Sequence, residues 1–152
     1  MSYVTKEAVW PANAVQQAVQ DIIVRFYELA DCQESDAGAQ MAARVFSRNA
    51  TLITPTGTFK GSSEISKSRD NAWRAVSSRK HRVLRVFAGD DSGSELVILG
   101  TVAMGLKNGS SLDSQFACHI AVVASDQDDA EPGSPRLGFM QVFALDSEPQ
   151  IT

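Results

Sequence analysis

The sequence predicts a single α+β domain in which a curved, cone-shaped antiparallel sheet wraps around three N-terminal helices and encloses one apolar pocket. Helical periodicity fills the first half of the chain, whereas apolar strand-like runs separated by turn residues fill the second half. The length of 152 residues suits one domain with its own core. We assign 1–12 to an N-terminal arm, 13–147 to the domain and 148–152 to a tail.

Two helices are predicted at the start of the domain. Apolar residues recur at steps of four and three over 13–31, which indicates a long amphipathic helix capped by Asn13. Its apolar face is wide, so most of this helix is expected to be buried. Asp36 is expected to cap a second, shorter helix that runs through Phe46.

A small hairpin and a third helix should follow. Proline and glycine within 55–57 predict a turn between strands at 51–54 and 58–60. The third helix is expected to begin near Ser62, and its apolar face would comprise Ile65, Ala72, Trp73 and Val76.

From His81 onward, β-branched and apolar runs predict a four-stranded antiparallel meander, with strands at 81–88, 95–106, 113–124 and 137–145. Strand 95–106 is apolar on both of its faces, so both faces of the sheet need cover. We therefore expect the helices on the inner face and a second copy of the chain on the outer face, which makes a homodimer.

The composition of the chain argues against several classes of function. A net charge of −4 and a pI of about 5.1 argue against nucleic acid as the main partner. Cys32 and Cys118 are far apart and match neither a zinc site nor a disulfide framework. No apolar stretch is long enough to span a bilayer and no leader is recognisable, so we expect a cytoplasmic protein with no membrane partner and with neither metal nor cofactor.

The order of elements resembles that of the nuclear-transport-factor-2-like superfamily, which includes SnoaL-like polyketide cyclases, ketosteroid isomerases and scytalone dehydratase. Three stretches carry the resemblance: the helix end 26–31, the strand-to-helix entry 57–62 and the last strand 138–143. The helix end is similar to that of scytalone dehydratase, and His81 falls where that enzyme has a histidine. Its second histidine has no counterpart, because Thr101 and Val102 occupy the adjacent strand.

Histidine suits proton transfer near neutral pH, and the chain has two, His81 and His119. On a regular strand His81 and Arg85 share one face, and an inward arginine needs an anionic partner. We expect His81 to be the base, with Asp31 or Glu34 to orient it. The alternative for each histidine is a structural role, and for each acid it is a solvated position.

The remaining candidates are a hydrogen-bond donor for the bound molecule and the side chains that line the pocket. Arg85 or Tyr27 would face an oxygen that gains charge, although Tyr27 bonded to a backbone carbonyl is an equal alternative. The basic run from Arg69 to Arg85 is either a solvated face or, in part, a clamp for an acidic ligand. The side chains expected to line the pocket are Trp73, Phe87, Met104, Phe116, Met140 and Phe143.

These residues and the resemblance predict a cofactor-independent lyase, isomerase or cyclase. It would act by general acid–base catalysis on a hydrophobic, carbonyl-bearing small molecule, such as a polyketide or terpenoid intermediate of secondary metabolism. The alternative is a non-catalytic module of the same fold that binds a small molecule or mediates dimerisation.

Overall fold

The computed structural model describes residues 2–12, 15–127 and 131–144. The helices of this part of the chain are α1 (Gln17–Ala30), α2 (Ala37–Arg44) and α3 (Gly61–Ser66). Its strands are β1 (Phe46–Thr54), β2 (Gly57–Lys60), β3 (Val76–Ala88), β4 (Glu95–Leu106), β5 (Ser111–Ala124) and β6 (Pro135–Ala144). Together the strands form one sheet in the order β2-β1-β6-β5-β4-β3.

The sheet confirms the predicted α+β class and the meander. Strands β3 to β6 pair antiparallel with their neighbours in sequence, and β1 forms the predicted hairpin with β2, closed at Thr54 and Gly57. Among the six strands of the described residues, β1 departs from the antiparallel pattern, because it lies parallel to β6. The sheet curves around the helices and does not close, since β2 and β3 remain its two edges.

Helix α1 supplies much of the core. Its buried residues repeat at helical spacing and are Val19, Ile22, Ile23, Phe26, Tyr27 and Ala30. The Phe26 ring meets Phe46 edge to face at 5.9 Å, which joins the helix to the start of β1. The helix begins at Gln17, and the expected cap Asn13 lies outside the described residues.

The prediction of a long third helix was wrong. Helix α3 spans six residues, and a series of tight turns follows it until β3 begins at Val76. The segment 66–71 is rich in serine, aspartate and asparagine, whose side chains compete with the helical backbone. Trp73 also leaves the helical path, because its indole Nε1 donates to the Cys32 carbonyl at 3.1 Å.

The N-terminal arm covers the free edge of β3. Val9 forms a parallel bridge with Arg85, and its N–H donates to the Leu84 carbonyl at 3.0 Å. The Val83 N–H donates to the Val4 carbonyl at 2.8 Å, so the arm is bound at two points. An edge strand with its hydrogen bonds satisfied in this way is protected from pairing with other chains.

A β-bulge in β3 decides which side chains enter the cone. The register with β4 shifts between Val83 and Arg85. On a regular strand, residues three positions apart point to opposite faces, but Val83 and Val86 are both buried because the bulge inserts one extra residue between them. The opposite residue is Gly100, where a Cβ atom would lie 2.4 Å from the Arg82 carbonyl oxygen. Only glycine permits this close approach of the two strands.

The outer face of the sheet is apolar and exposed. Two cross-strand rows contain the pairs Phe87–Val97 and Leu99–Ala117, and Ala117 in turn pairs with Phe143. Phe143 is 51% exposed and Leu99 is 40% exposed. The predicted homodimer concerns this face and stays a prediction. Among the described residues, no helix has the length and apolar character needed to cross a membrane.

Candidate functional site

A cavity of about 430 Å³ lies on the inner side of the curved sheet. It lies between the end of α1, the turn of the β1–β2 hairpin, the segment after α3 and the inner faces of β3 to β6. Its walls combine aromatic and aliphatic side chains with polar ones, and the basic residues among them are Lys67, Arg69, Arg79 and His81. Of the pocket residues expected from the sequence, Met104 and Phe116 line it.

His81 and Asp31 form a close pair at this cavity. Asp31 ends α1 and His81 lies on β3, and the His81 Nδ1 is 2.5 Å from Asp31 Oδ1. The other oxygen, Oδ2, accepts the backbone N–H of His81 at 2.8 Å and the Tyr3 hydroxyl at 2.8 Å. The Asp31 side chain is 5% exposed and that of His81 is 16% exposed. Three hydrogen bonds thus hold a buried carboxylate against the imidazole.

This geometry determines the tautomer of His81. An ionised carboxylate only accepts hydrogen bonds, so Nδ1 carries the proton that is shared with Asp31. The lone pair of the neutral ring then lies on Nε2, and that nitrogen can take a proton from a bound molecule. When it does so, the adjacent Asp31 carboxylate stabilises the resulting imidazolium.

Aromatic rings surround the imidazole. The centroid of Tyr27 is 5.1 Å from that of His81, and the centroid of Phe116 is 5.5 Å from it. The Tyr27 hydroxyl lies 3.2 Å from Cys118 Sγ. Burial raises the pKa of the Tyr27 hydroxyl well above its ordinary value, and the thiol of Cys118 raises it further. Tyr27 therefore stays protonated and can act as a hydrogen-bond donor, not as a base.

Two arginines line the cavity. Arg69, in the turns after α3, donates from Nη2 to the Ala30 carbonyl at 2.6 Å. Arg79, on β3, donates from Nη2 to the Ala72 carbonyl at 3.0 Å. The guanidinium carbon of Arg79 lies 4.7 Å from the ring centroid of Trp73. Burial, followed by the charge of Arg79, lowers the pKa of Arg69 to about 10.

The structure does not bring the other sequence candidates to the cavity. The bulge in β3 turns Arg85 and Phe87 to the outer face, where Phe87 is 47% exposed. His119 lies on the same outer face, and its Nε2 is 3.1 Å from Glu95 Oε1. Glu34 is exposed in the loop after α1, away from the cavity lining.

Three residues of the expected pocket lining also lie elsewhere. Met140 is 1% exposed and belongs to the core, whereas Phe143 points outward from β6. Trp73 lies behind the cavity wall, where its ring supports the guanidinium of Arg79.

Arg69, Arg79 and Tyr3 were not predicted individually as site residues. Arg79 had a usable signal, because it lies two residues before His81 and therefore on the same face of β3. The strand was expected to begin at His81, which left Arg79 outside it. Tyr3 had no local signal, since its contact with Asp31 joins residues that are 28 positions apart.

Within the described ranges, no group of three or more histidine, cysteine, aspartate or glutamate side chains is placed to hold a metal ion.

Solved structures share this architecture. The hexachlorocyclohexane dehydrochlorinase LinA-type3 from Novosphingobium barchaimii matches with a TM-score of 0.68 and 14% identity, over 88% of each chain. A hypothetical protein of ketosteroid isomerase-like fold from Catenulispora acidiphila, in complex with trimethylamine, matches at 0.61 and 12% identity, over 81% of this chain and 84% of that one. Nuclear transport factor 2 from Cryptosporidium parvum matches at 0.60 and 13% identity, over 85% and 93%.

No protein-family model and no curated protein matches the chain. At such low identities, structural likeness establishes the fold and not the activity. The chain has the nuclear-transport-factor-2-like fold, which confirms at the level of fold the resemblance noted in the sequence.

Proposed function

We propose that this chain is a cofactor-independent enzyme that removes a proton from carbon in a hydrophobic, carbonyl-bearing small molecule, as a lyase, isomerase or cyclase. The observation that carries the proposal is the His81–Asp31 pair at the wall of a largely apolar cavity. Polyketide and terpenoid intermediates belong to the class of molecules that such a cavity would accept.

In the proposed reaction, Nε2 of His81 takes a proton from a carbon next to the carbonyl group. Asp31 keeps Nδ1 protonated and balances the positive charge that forms on the ring. The imidazolium then returns the proton to another carbon in an isomerase, or to a departing oxygen in a lyase. Either outcome regenerates the neutral histidine without an external cofactor.

Tyr27 is the proposed partner for the carbonyl oxygen. Its hydroxyl stays protonated because burial raises its pKa, and its ring borders both His81 and the cavity. A donor of this kind stabilises the charge that develops on oxygen as the proton leaves carbon. To reach a ligand, the hydroxyl would exchange its weak contact with the Cys118 sulfur for a stronger bond to oxygen.

The experiment uses 5-nitrobenzisoxazole as a probe, because any well-placed base can open its isoxazole ring. Removal of its ring C–H proton sends the electron pair into a C≡N bond and breaks the N–O bond, so that coloured 2-cyano-4-nitrophenolate forms. We expect the His81→Asn variant to lose about a hundredfold or more of the wild-type kcat/KM, since a positioned base contributes about 10² to 10⁴. The His119→Asn variant changes the other histidine, on the outer face, and should keep the wild-type rate.

Equal losses in the two histidine variants would contradict the proposal. A wild-type rate no higher than that of His81→Asn would also contradict it, and would favour the non-catalytic binding module. Thermal unfolding of both variants shows whether a lost rate reflects the missing base or a missing fold.

A further inference from the structure

Unpaired hydrogen-bonding groups collect at one part of the cavity lining. Ser68, Arg69 and Arg79 all line the cavity, and each has a buried polar atom without a hydrogen-bond partner among the described residues. These atoms are Ser68 Oγ, Arg69 Nε and Arg79 Nη1. A buried donor without a partner costs about 1–3 kcal/mol, and a charged one costs more. Three such atoms in one lining indicate that a ligand supplies the missing acceptor.

The charged side chains around the cavity indicate the sign of the charge on that ligand. No aspartate or glutamate of the described ranges lines the cavity, whereas Lys67, Arg69 and Arg79 do so. The carboxylate beside His81 is that of Asp31, which lies behind the imidazole and already accepts three hydrogen bonds. Arg69 and Arg79 place two half-buried guanidinium groups near this one carboxylate, and the exposed Lys67 of the lining adds a further positive charge, so positive charge is in excess around the cavity.

We infer that the substrate carries a carboxylate, which Arg69 and Arg79 bind together with the Ser68 hydroxyl. A negatively charged group matches the excess of positive charge, and a planar carboxylate suits the fork of a guanidinium group. The substrate class is thus a hydrophobic carboxylic acid that also bears the carbonyl group. This inference rests on the proposed function in one respect, namely that the bound acid is the molecule from which His81 takes a proton.

The arginines are held in place for this role before any ligand arrives. One N–H of each guanidinium group is already bonded to a backbone carbonyl, of Ala30 for Arg69 and of Ala72 for Arg79. The Arg79 group also lies on the face of Trp73. Because these contacts restrain both side chains, binding a carboxylate costs little additional side-chain entropy.

The test compares two probes of the same size and shape, naphthalene-2-carboxylate, which is charged, and naphthalene-2-carboxamide, which is neutral, by isothermal titration calorimetry at neutral pH. We expect the wild-type protein to bind the carboxylate at least about tenfold more tightly than the carboxamide, as charge-assisted hydrogen bonds predict. The Arg69→Gln and Arg79→Gln variants should lose this preference. The control Arg25→Gln removes an exposed arginine of α1, and this variant should retain the preference for the carboxylate.

Equal affinity for the two probes, or no binding of either, would overturn the inference, and this comparison needs only the wild-type protein. Retention of the preference in both arginine variants would overturn it as well. The His81→Asn variant separates the two proposals, because it should lose proton removal and keep the preference for the carboxylate. A wild-type protein that prefers the carboxylate but does not open 5-nitrobenzisoxazole would refute the proposed function and leave the acid-binding site standing.

Discussion

The sharpest prediction concerns Asp31, which the proposed reaction requires to be charged. The substitution Asp31→Asn keeps the size and shape of the side chain and removes its charge. An amide can still accept the N–H of His81 through its oxygen, but it can also present its NH₂ group, so the tautomer of the imidazole is no longer determined. When His81 takes a proton from carbon, the imidazolium that forms would then have no adjacent counter-charge.

The size of the effect follows from the geometry. Nδ1 and Oδ1 are 2.5 Å apart, and the centres of the two charged groups are farther apart than these atoms. Two unit charges about 4 Å apart interact by about 4 kcal/mol at an effective dielectric constant near 20. Because each 1.4 kcal/mol or so changes a rate about tenfold, the loss of this charge should lower the rate of proton removal by about a thousandfold.

The assay is the initial rate of opening of 5-nitrobenzisoxazole, measured on the wild-type protein, on Asp31→Asn and on a control. Asp21→Asn is a suitable control, because Asp21 is an exposed carboxylate of α1 that accepts a hydrogen bond from Gln17. We expect the control to keep the wild-type rate. If folded Asp31→Asn lost less than about tenfold in kcat/KM, the electrostatic role given to Asp31 would be refuted.

Two further predictions concern stability and assembly. Burial raises the pKa of the Cys118 thiol from 9.0 to about 12, so its stabilising contribution is complete below pH 9.0 and is lost as the pH rises towards 12. The free energy of unfolding from urea titrations should therefore fall by about 1.4 kcal/mol per pH unit over this range, and Cys118→Ala should fall less steeply; parallel slopes would contradict this. We also expect the outer face to form a homodimer, so Leu99→Asp should yield monomers in light scattering. The control Ala18→Asp changes an exposed residue of α1, away from the outer face, and should not. A monomeric wild-type protein would exclude the dimer.

Periodicity and turn chemistry predicted most of the fold because these signals are local. The hairpin turn at 55–57 and the antiparallel meander depend on residues that are close in sequence. The pairing of β1 with β6 joins the first and last strands of the sheet, and nothing in either strand specifies it alone. The length of α3 was overestimated because apolar spacing continued past the point where serine and asparagine end the helix.

The candidate site was predicted in part, and the reason lies in strand parity. His81 precedes the bulge of β3, so the alternation rule placed it correctly relative to Val83. Arg85 follows the bulge, where one extra residue reverses the alternation and turns its side chain outward. The only sequence signal for the bulge is Gly100 on the neighbouring strand, and a glycine within a strand can equally mark a tight bend or a point where a ligand approaches the backbone.

Two different parts of the architecture supply the proposed base and the proposed acid-binding group. The pair of Asp31 and His81 depends on the end of α1 meeting the middle of β3, which is a property of the fold. The acid-binding group depends instead on the short length of α3, since the irregular turns that replace the missing helix bring Ser68 and Arg69 to the cavity wall. The proposed proton transfer therefore depends on helices and strands that define the fold, whereas the proposed preference for a carboxylate depends on the segment 67–79.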